Sequence, residues 1–340
     1  MMQNRFLQTI GGTRGFLCGL LCLTGVACQQ NTGTQNNTAT QQESQLKATS
    51  QAGTQVVMKV QPHTYDDKQK TLISGDYADK QKIEVPPALS GQNKWFMFEG
   101  PVLENDKVAY RYYADKRHRF DIYGKKVSDL VMDTVSWDYH NIMDWGSDIL
   151  KVGNSVGIGS PAILYQDSIY CLDTWDKKEI ALMSSGGSTS SIRTTFYGLT
   201  VGDQSMTIQQ DWHLSTGDYH STIELKRLDG DLPDNMRFAT GIVKHLDDFT
   251  LETRDGKSVG YNWGKQSFHK QNLGMGIISD LDSGPRLHAD KLSHVIVYDN
   301  SRTGVKYHFL SVWADGIGGI DTKEKFITEI GRSVQTLSKE

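Results

Sequence analysis

Met206-Thr207-Ile208-Gln209-Gln210-Asp211-Trp212-His213-Leu214 decides the fold class. Met206, Ile208, Gln210, Trp212 and Leu214 alternate with Thr207, Gln209, Asp211 and His213, the two-residue period of a strand with one face turned inward. Ser215-Thr216-Gly217-Asp218 supplies turn chemistry and the chain returns through Ile223 and Leu225, so the stretch reads as an antiparallel hairpin. Outward from it the signature recurs. Lys107 to Tyr123 alternates around Val108, Tyr110 and Tyr112; Asp255-Gly256 separates Thr250–Thr253 from Ser258–Trp263; Arg302-Thr303-Gly304 separates His294–Tyr298 from Lys306–Trp313, a further expected hairpin. Many antiparallel strands with short turns predict an all-β chain, a large antiparallel β-sandwich.

Composition agrees. The 33 Gly, 14 Tyr and 7 Trp beside only 7 Pro suit turns and aromatic strand positions, and 37% hydrophobic content over 340 residues excludes a wholly disordered chain. A formal charge of −4 lacks the basic field that phosphate contacts require, so no nucleic-acid partner is expected. Two segments depart from the strand pattern. Asp321-Thr322-Lys323-Glu324, followed by Phe326, Ile327, Ile330, Val334 and Leu337, pairs a capping residue with an apolar stripe of 3.6-residue period and predicts a C-terminal helix packed on a sheet. Residues 137–151 read equally as a helix, with His140, Asp144 and Asp148 in one row, or as a long glycine-flanked loop.

The N-terminus reads as an address. Arg14 precedes the short apolar run Phe16 to Ala27, and Gly25-Val26-Ala27-Cys28 resembles a bacterial lipobox, which implies residues 1–27 as signal peptide and acylation of Cys28. Gln, Asn and Thr then supply 17 of the 27 positions from 29 to 55, too polar to order itself, so 28–56 is expected to be a tether and 57–340 the folded domain. The expected location is periplasmic or cell-surface, on the bacterial (outer) membrane through the lipid alone. Cys18 and Cys22 fall in the signal, which leaves Cys171 as a lone core residue with no disulfide partner.

One cluster of residues carries candidate chemistry: Glu104, Tyr110-Arg111-Tyr112, Lys116-Arg117-His118-Arg119, His140, Asp144, Trp145, Asp148 and Lys151. Arg binds a carboxylate bidentately, and Tyr or His moves a proton; β-elimination on a uronic acid needs both. On this reading His140, Tyr110, Tyr112 and Asp148 are catalytic candidates, and Arg111, Glu104, Arg117, Asp144, Lys151 and Trp145 are substrate-binding candidates. The competing reading makes Tyr110 and Tyr112 sheet-face residues and Arg117 to Arg119 a solvated turn. His118, His213 and His220 are expected to be exposed, and His245, His269, His288 and His308 are not ranked. No HExxH or paired CxxC motif appears, and Gly153 to Ser160 matches neither a Walker loop nor GxGxxG, so no metal or nucleotide cofactor is expected.

Gly100-Pro101-Val102-Leu103-Glu104-Asn105-Asp106, Ala109-Tyr110-Arg111-Tyr112-Tyr113, Asp121-Ile122-Tyr123-Gly124-Lys125 and the run from His140 to Gly153 resemble domain-of-unknown-function family 4861. Its members are exported proteins of glycan-degrading Gram-negative bacteria. The resemblance implies a galactose-mutarotase-like supersandwich, and a setting beside uronic-acid polysaccharide lyases and unsaturated glucuronyl hydrolases. Many members carry Trp after Gly-Pro-Val, where this chain has Leu103. The substrate class so implied is an acidic oligosaccharide or polysaccharide, and the expected function is β-elimination or related proton transfer on it. The alternatives are a mutarotase or epimerase and a non-catalytic glycan-binding lipoprotein.

Overall fold

The computed structural model describes residues 53–61, 65–66, 71–72, 75–89, 91 and 93–339. Cys28, the signal and nearly all of the expected tether lie outside the described residues. In chain order the strands are β1 (Thr54–Val57), β2 (Lys59–Val60), β3 (Tyr65–Asp66), β4 (Thr71–Leu72), β5 (Ala78–Asp79), β6 (Lys82–Glu84), β7 (Val102–Asn105), β8 (Val108–Tyr112), β9 (Phe120–Lys125), β10 (Gly146–Asp148), β11 (Ala162–Tyr165) and β12 (Ser168–Cys171). They continue as β13 (Lys177–Ser184), β14 (Thr189–Val201), β15 (Gln204–Ser215), β16 (His220–Arg227), β17 (Met236–Val243), β18 (Thr250–Arg254), β19 (Lys257–Lys265), β20 (Asn272–Asp280), β21 (Pro285–His288), β22 (Ser293–Tyr298) and β23 (Gly304–Trp313). Helix α1 (Lys323–Leu337) closes the chain.

An antiparallel nine-stranded sheet runs β18-β19-β20-β23-β16-β15-β14-β13-β6, and two five-stranded sheets run β1-β7-β8-β9-β10 and β12-β11-β17-β22-β21. The smaller sheets are stitched together by Gly157 and Ile158, which bridge to Phe120 and Ile242. Inner faces meet in one aromatic core: Tyr110 lies 4.9 Å from Phe309, and Phe120 lies 4.9 Å from Trp212 and 5.3 Å from Phe309, all by ring centroids. The expected sandwich is therefore present, and the alternation at 206–214 is its register: Met206, Ile208, Gln210, Trp212 and Leu214 are all buried. Asp255-Gly256 likewise joins the paired strands β18 and β19.

Three expectations are corrected. Arg302-Thr303-Gly304 does not close a hairpin, because β22 pairs with β17 and β21 while β23 pairs with β16 and β20. The two strands face each other across the sandwich instead, with Tyr298 stacked on Tyr307 at 5.8 Å, since each has an apolar face to bury. Residues 54–56, inside the span read as tether, belong to β1, which pairs with β7. His118 and His220 are buried rather than exposed; the His118 ring sits 4.4 Å from Tyr112 and 4.7 Å from Phe196, with Nε2 against Gln210 Oε1 at 2.9 Å.

Helix α1 forms where the stripe requires it, burying Phe326, Ile330, Val334 and Leu337. Its cap is Thr322, whose hydroxyl accepts from the Lys325 N–H at 3.3 Å. Phe326 packs beside Tyr261 and Trp263, so the helix covers the outer side of the nine-stranded sheet at β19.

Candidate functional site

Alternation along β8 divides its side chains. Tyr110 and Tyr112 point into the sandwich core, while Ala109 and Arg111 point to the other face of the five-stranded sheet. That second face is covered by the turn at Met97–Glu99 and by the stretch 131–145, which contribute Phe98, Met132, Val135 and Tyr139 to a separate apolar cluster. Arg111 is consequently buried, and a buried guanidinium must be paired and hydrogen-bonded.

Its partners come from every neighbouring element. Asp121, opposite Arg111 in the β8–β9 register, accepts from Nη2 at 2.9 Å, and Asp148 on β10 accepts from the same nitrogen at 3.0 Å. Nη1 donates to the Phe98 carbonyl at 2.8 Å and to the Tyr139 hydroxyl at 3.1 Å. The Tyr113 hydroxyl accepts from Nη2 at 3.0 Å and donates to Asp121 at 2.8 Å. Tyr113's ring lies between two cations, with Arg111 at 4.5 Å and Arg117 at 3.8 Å from its centroid.

The cluster reaches solvent through His140. Nδ1 of this imidazole, whose side chain is 59% exposed, lies 3.3 Å from the Asp148 oxygen that Arg111 also holds. That hydrogen bond draws the His140 pKa above the ordinary imidazole value, and the Asp148 charge adds to it against partial burial. One guanidinium faces two carboxylates here, so the site is over-anionic until His140 takes a proton. Burial first, and then the Asp148 charge, also push the Asp121 pKa up.

The backbone that shapes the site is constrained. Phe98 and Glu99 both lie at left-handed φ, 60° and 61°, a conformation that costs non-glycine residues energy and persists only when its surroundings enforce it. Arg111 grips the Phe98 carbonyl, and Arg117 holds the Glu99 carboxylate at 2.5 Å. A Cβ on Gly146, at φ 141°, would overlap the Gly124 carbonyl, so glycine is what lets β10 carry Asp148 this close to β9.

Beside His140 lies a depression of about 340 Å³ lined by Lys151, His245, Lys265, Gln266, Ser267, Phe268 and Lys270. The Phe268 ring is half exposed and 6.3 Å from that of His140. Among the described residues, no group of three or more His, Cys, Asp or Glu is placed to hold a metal ion.

The candidates of the sequence thus separate. Arg111, His140 and Asp148 converge, and Lys151 lies on the adjoining depression. Arg111 nevertheless has its guanidinium spent on internal partners, so it positions Asp148 and is not available to a substrate carboxylate. Tyr110 and Tyr112 are sealed in the core: the Tyr110 hydroxyl donates to the Tyr219 carbonyl at 2.6 Å, Tyr112 pairs with Thr194 at 2.7 Å, and burial pushes both pKa values up. Glu104 is fully buried against Lys125 at 2.6 Å and stands apart as a structural pair. Arg117 is a third exposed but tied to Glu99 and Asp115. Trp145 is half-buried with its ring 6.2 Å from Tyr123, and Asp144 is exposed in the turn before β10. No helix runs through 137–151; turns lead into β10, which is what places His140 over Asp148.

Asp121, Tyr113, Glu99, Phe268, Lys265 and Lys270 are not among the catalytic or binding candidates of the sequence, although Asp121 and Tyr113 fall in the motifs that resemble the family. Asp121 had a signal, since pairing β8 with β9 puts a carboxylate opposite Arg111.

The chain matches the model of a family described as Domain of unknown function (DUF4861) over residues 24–340, nearly its whole length, and belongs to that family. No curated protein matches it.

Proposed function

We propose that this member of the family is an exported, lipid-anchored protein that acts on acidic, uronic-acid-containing oligosaccharides by proton transfer. The observation that carries the reading is the exposed His140 imidazole, held through Nδ1 by a buried Asp148–Arg111 pair and set beside a depression that Lys151 helps to line. Export and anchoring rest on Arg14, the apolar run and Cys28.

Nδ1 faces Asp148, which leaves Nε2 for the substrate. Lys151 neutralises the sugar carboxylate and thereby acidifies the C5 proton. Nε2 of neutral His140 takes that proton; the C5–H electrons form the C4=C5 double bond as the C4–O4 bond breaks. The imidazolium returns the proton to O4, so the same group serves as base and acid. With Tyr110 and Tyr112 sealed in the core, His140 is the proton carrier of this site. Turnover by this route rises with pH through the raised His140 pKa.

The test incubates the full-length protein with pectic, alginate, ulvan-like and glucuronan oligosaccharides and weighs the products. Fragments that sum to the parent mass, with new ultraviolet absorbance, are expected. A gain of one water would indicate hydrolysis instead, and saturable binding with no product would leave a glycan-binding protein. His140→Ala should lower turnover about 10²–10⁴-fold while oligosaccharide binding persists. Full turnover in that variant contradicts the assignment.

A further inference from the structure

We infer that Lys265 at the end of β19 and Lys270 in the loop to β20, residues 266–271, form beside Lys151 a second anion subsite, so that the ligand carries negative charge on successive sugars rather than on one. The glycan character of the ligand rests on the proposed function; the anion site rests on its own geometry.

Charge comes first. Cations of this acidic chain are commonly matched to carboxylates: Lys59 with Asp133, Lys107 with Asp106, Lys257 with Asp280 and Lys325 with Asp321. Lys151, Lys265 and Lys270 form no ion pair among the described residues, yet they line one depression that no Asp or Glu lines. Three unmatched ammonium groups on one concave surface repel one another unless an anion joins them.

The support is rigid, which favours binding because little ordering remains to be done when a ligand arrives. Gln266 is buried and donates to Asn262 Oδ1 and the Leu273 carbonyl, each at 2.8 Å. The Ser267 hydroxyl donates to Gln271 Oε1 at 2.7 Å and accepts from the Gln271 N–H at 2.8 Å. Two contacts tie the loop to the residues on either side of Asp148: the Phe268 N–H donates to the Ile149 carbonyl at 2.7 Å, and His269 Nε2 meets the Ser147 hydroxyl at 2.9 Å. Lys270 lies at φ 66°, where glycine is the easy choice, so the turn carries a cation at a position that disfavours any side chain.

The half-exposed Phe268, which lines the depression with these lysines and lies 6.3 Å from the His140 ring, offers an apolar face for the C–H surface of a sugar ring. A ligand reaching from His140 across Phe268 therefore meets its next negative group at Lys265 and Lys270. Carboxylate and sulfate share this chemistry.

The experiment measures binding by calorimetry for wild type, Lys265→Gln/Lys270→Gln and His140→Ala. Ligands are tri-galacturonate, its carboxyl-reduced neutral counterpart, monomeric galacturonate and a sulfated trisaccharide. The double variant, whose side chains are exposed and hold no contact of the fold, is expected to bind the trianionic ligands about tenfold more weakly. It should bind the monomer as wild type does, and its affinity should depend less on salt. His140→Ala should bind all ligands within about twofold of wild type. The tighter of the uronate and sulfate arms identifies the anion. An unchanged trianion affinity in the double variant, or wild-type binding of the neutral trisaccharide as tight as the charged one, overturns the subsite. Charge-dependent binding without product from any ligand would uphold the subsite while the catalytic reading falls.

Discussion

Two buried charge clusters sit on the same five-stranded sheet and behave differently. At Glu104–Lys125 the charges are balanced and closed: Glu104 accepts from the backbone N–H groups of Val131 and Met132 and from Gln55, and Lys125 donates to the carbonyls of Asn105 and Asp129. Neither side chain has any exposed surface. At Arg111 one cation meets two carboxylates, and the imbalance opens to solvent at His140. The contrast teaches that burial and charge alone do not mark a reactive centre. What sets the Arg111 cluster apart is surplus charge with an outlet, where a proton has both a reason to bind and a path to leave.

The closed pair should break most expensively. Lys125→Met leaves the Glu104 carboxylate buried without its cation, and a loss of about 3–5 kcal/mol is expected from urea denaturation, with no role in turnover beyond the unfolded fraction. A loss under ~1 kcal/mol would mean that the pair is not sealed as described. In the open cluster, Tyr113→Phe removes one donor to Asp121 and one acceptor from Arg111 but keeps the ring between its two guanidinium groups. A smaller loss of about 1–2 kcal/mol should follow in the same measurement.

Much of the sandwich is legible in the sequence because a period of two is a local property. Residues 206–214 show which side chains of β15 face inward, and the Phe326 to Leu337 stripe shows the buried side of α1. Partnership is not local, which is why Arg302-Thr303-Gly304 resembles a hairpin turn yet links strands of different sheets. The site divides in the same way. Alternation in Tyr110-Arg111-Tyr112 already implies that arginine and tyrosines point apart, whereas the burial of Arg111 depends on the distant stretch 131–145 folding over that face. Nor does spacing reveal that Lys265 and Lys270 share a depression with Lys151, more than a hundred residues earlier in the chain.

Asp148 controls the proton on His140 through the contact at Nδ1. A titration of the His140 ring protons by NMR, in wild type and Asp148→Asn, tests it directly. The raised pKa means that the imidazolium is favoured in the folded state below the ordinary imidazole range, and that this advantage fades as pH rises through the raised value. Wild-type His140 is therefore expected to titrate above the ordinary value of about 6.5, and to fall back toward or below it in the variant. Identical His140 curves in the two proteins would contradict the account.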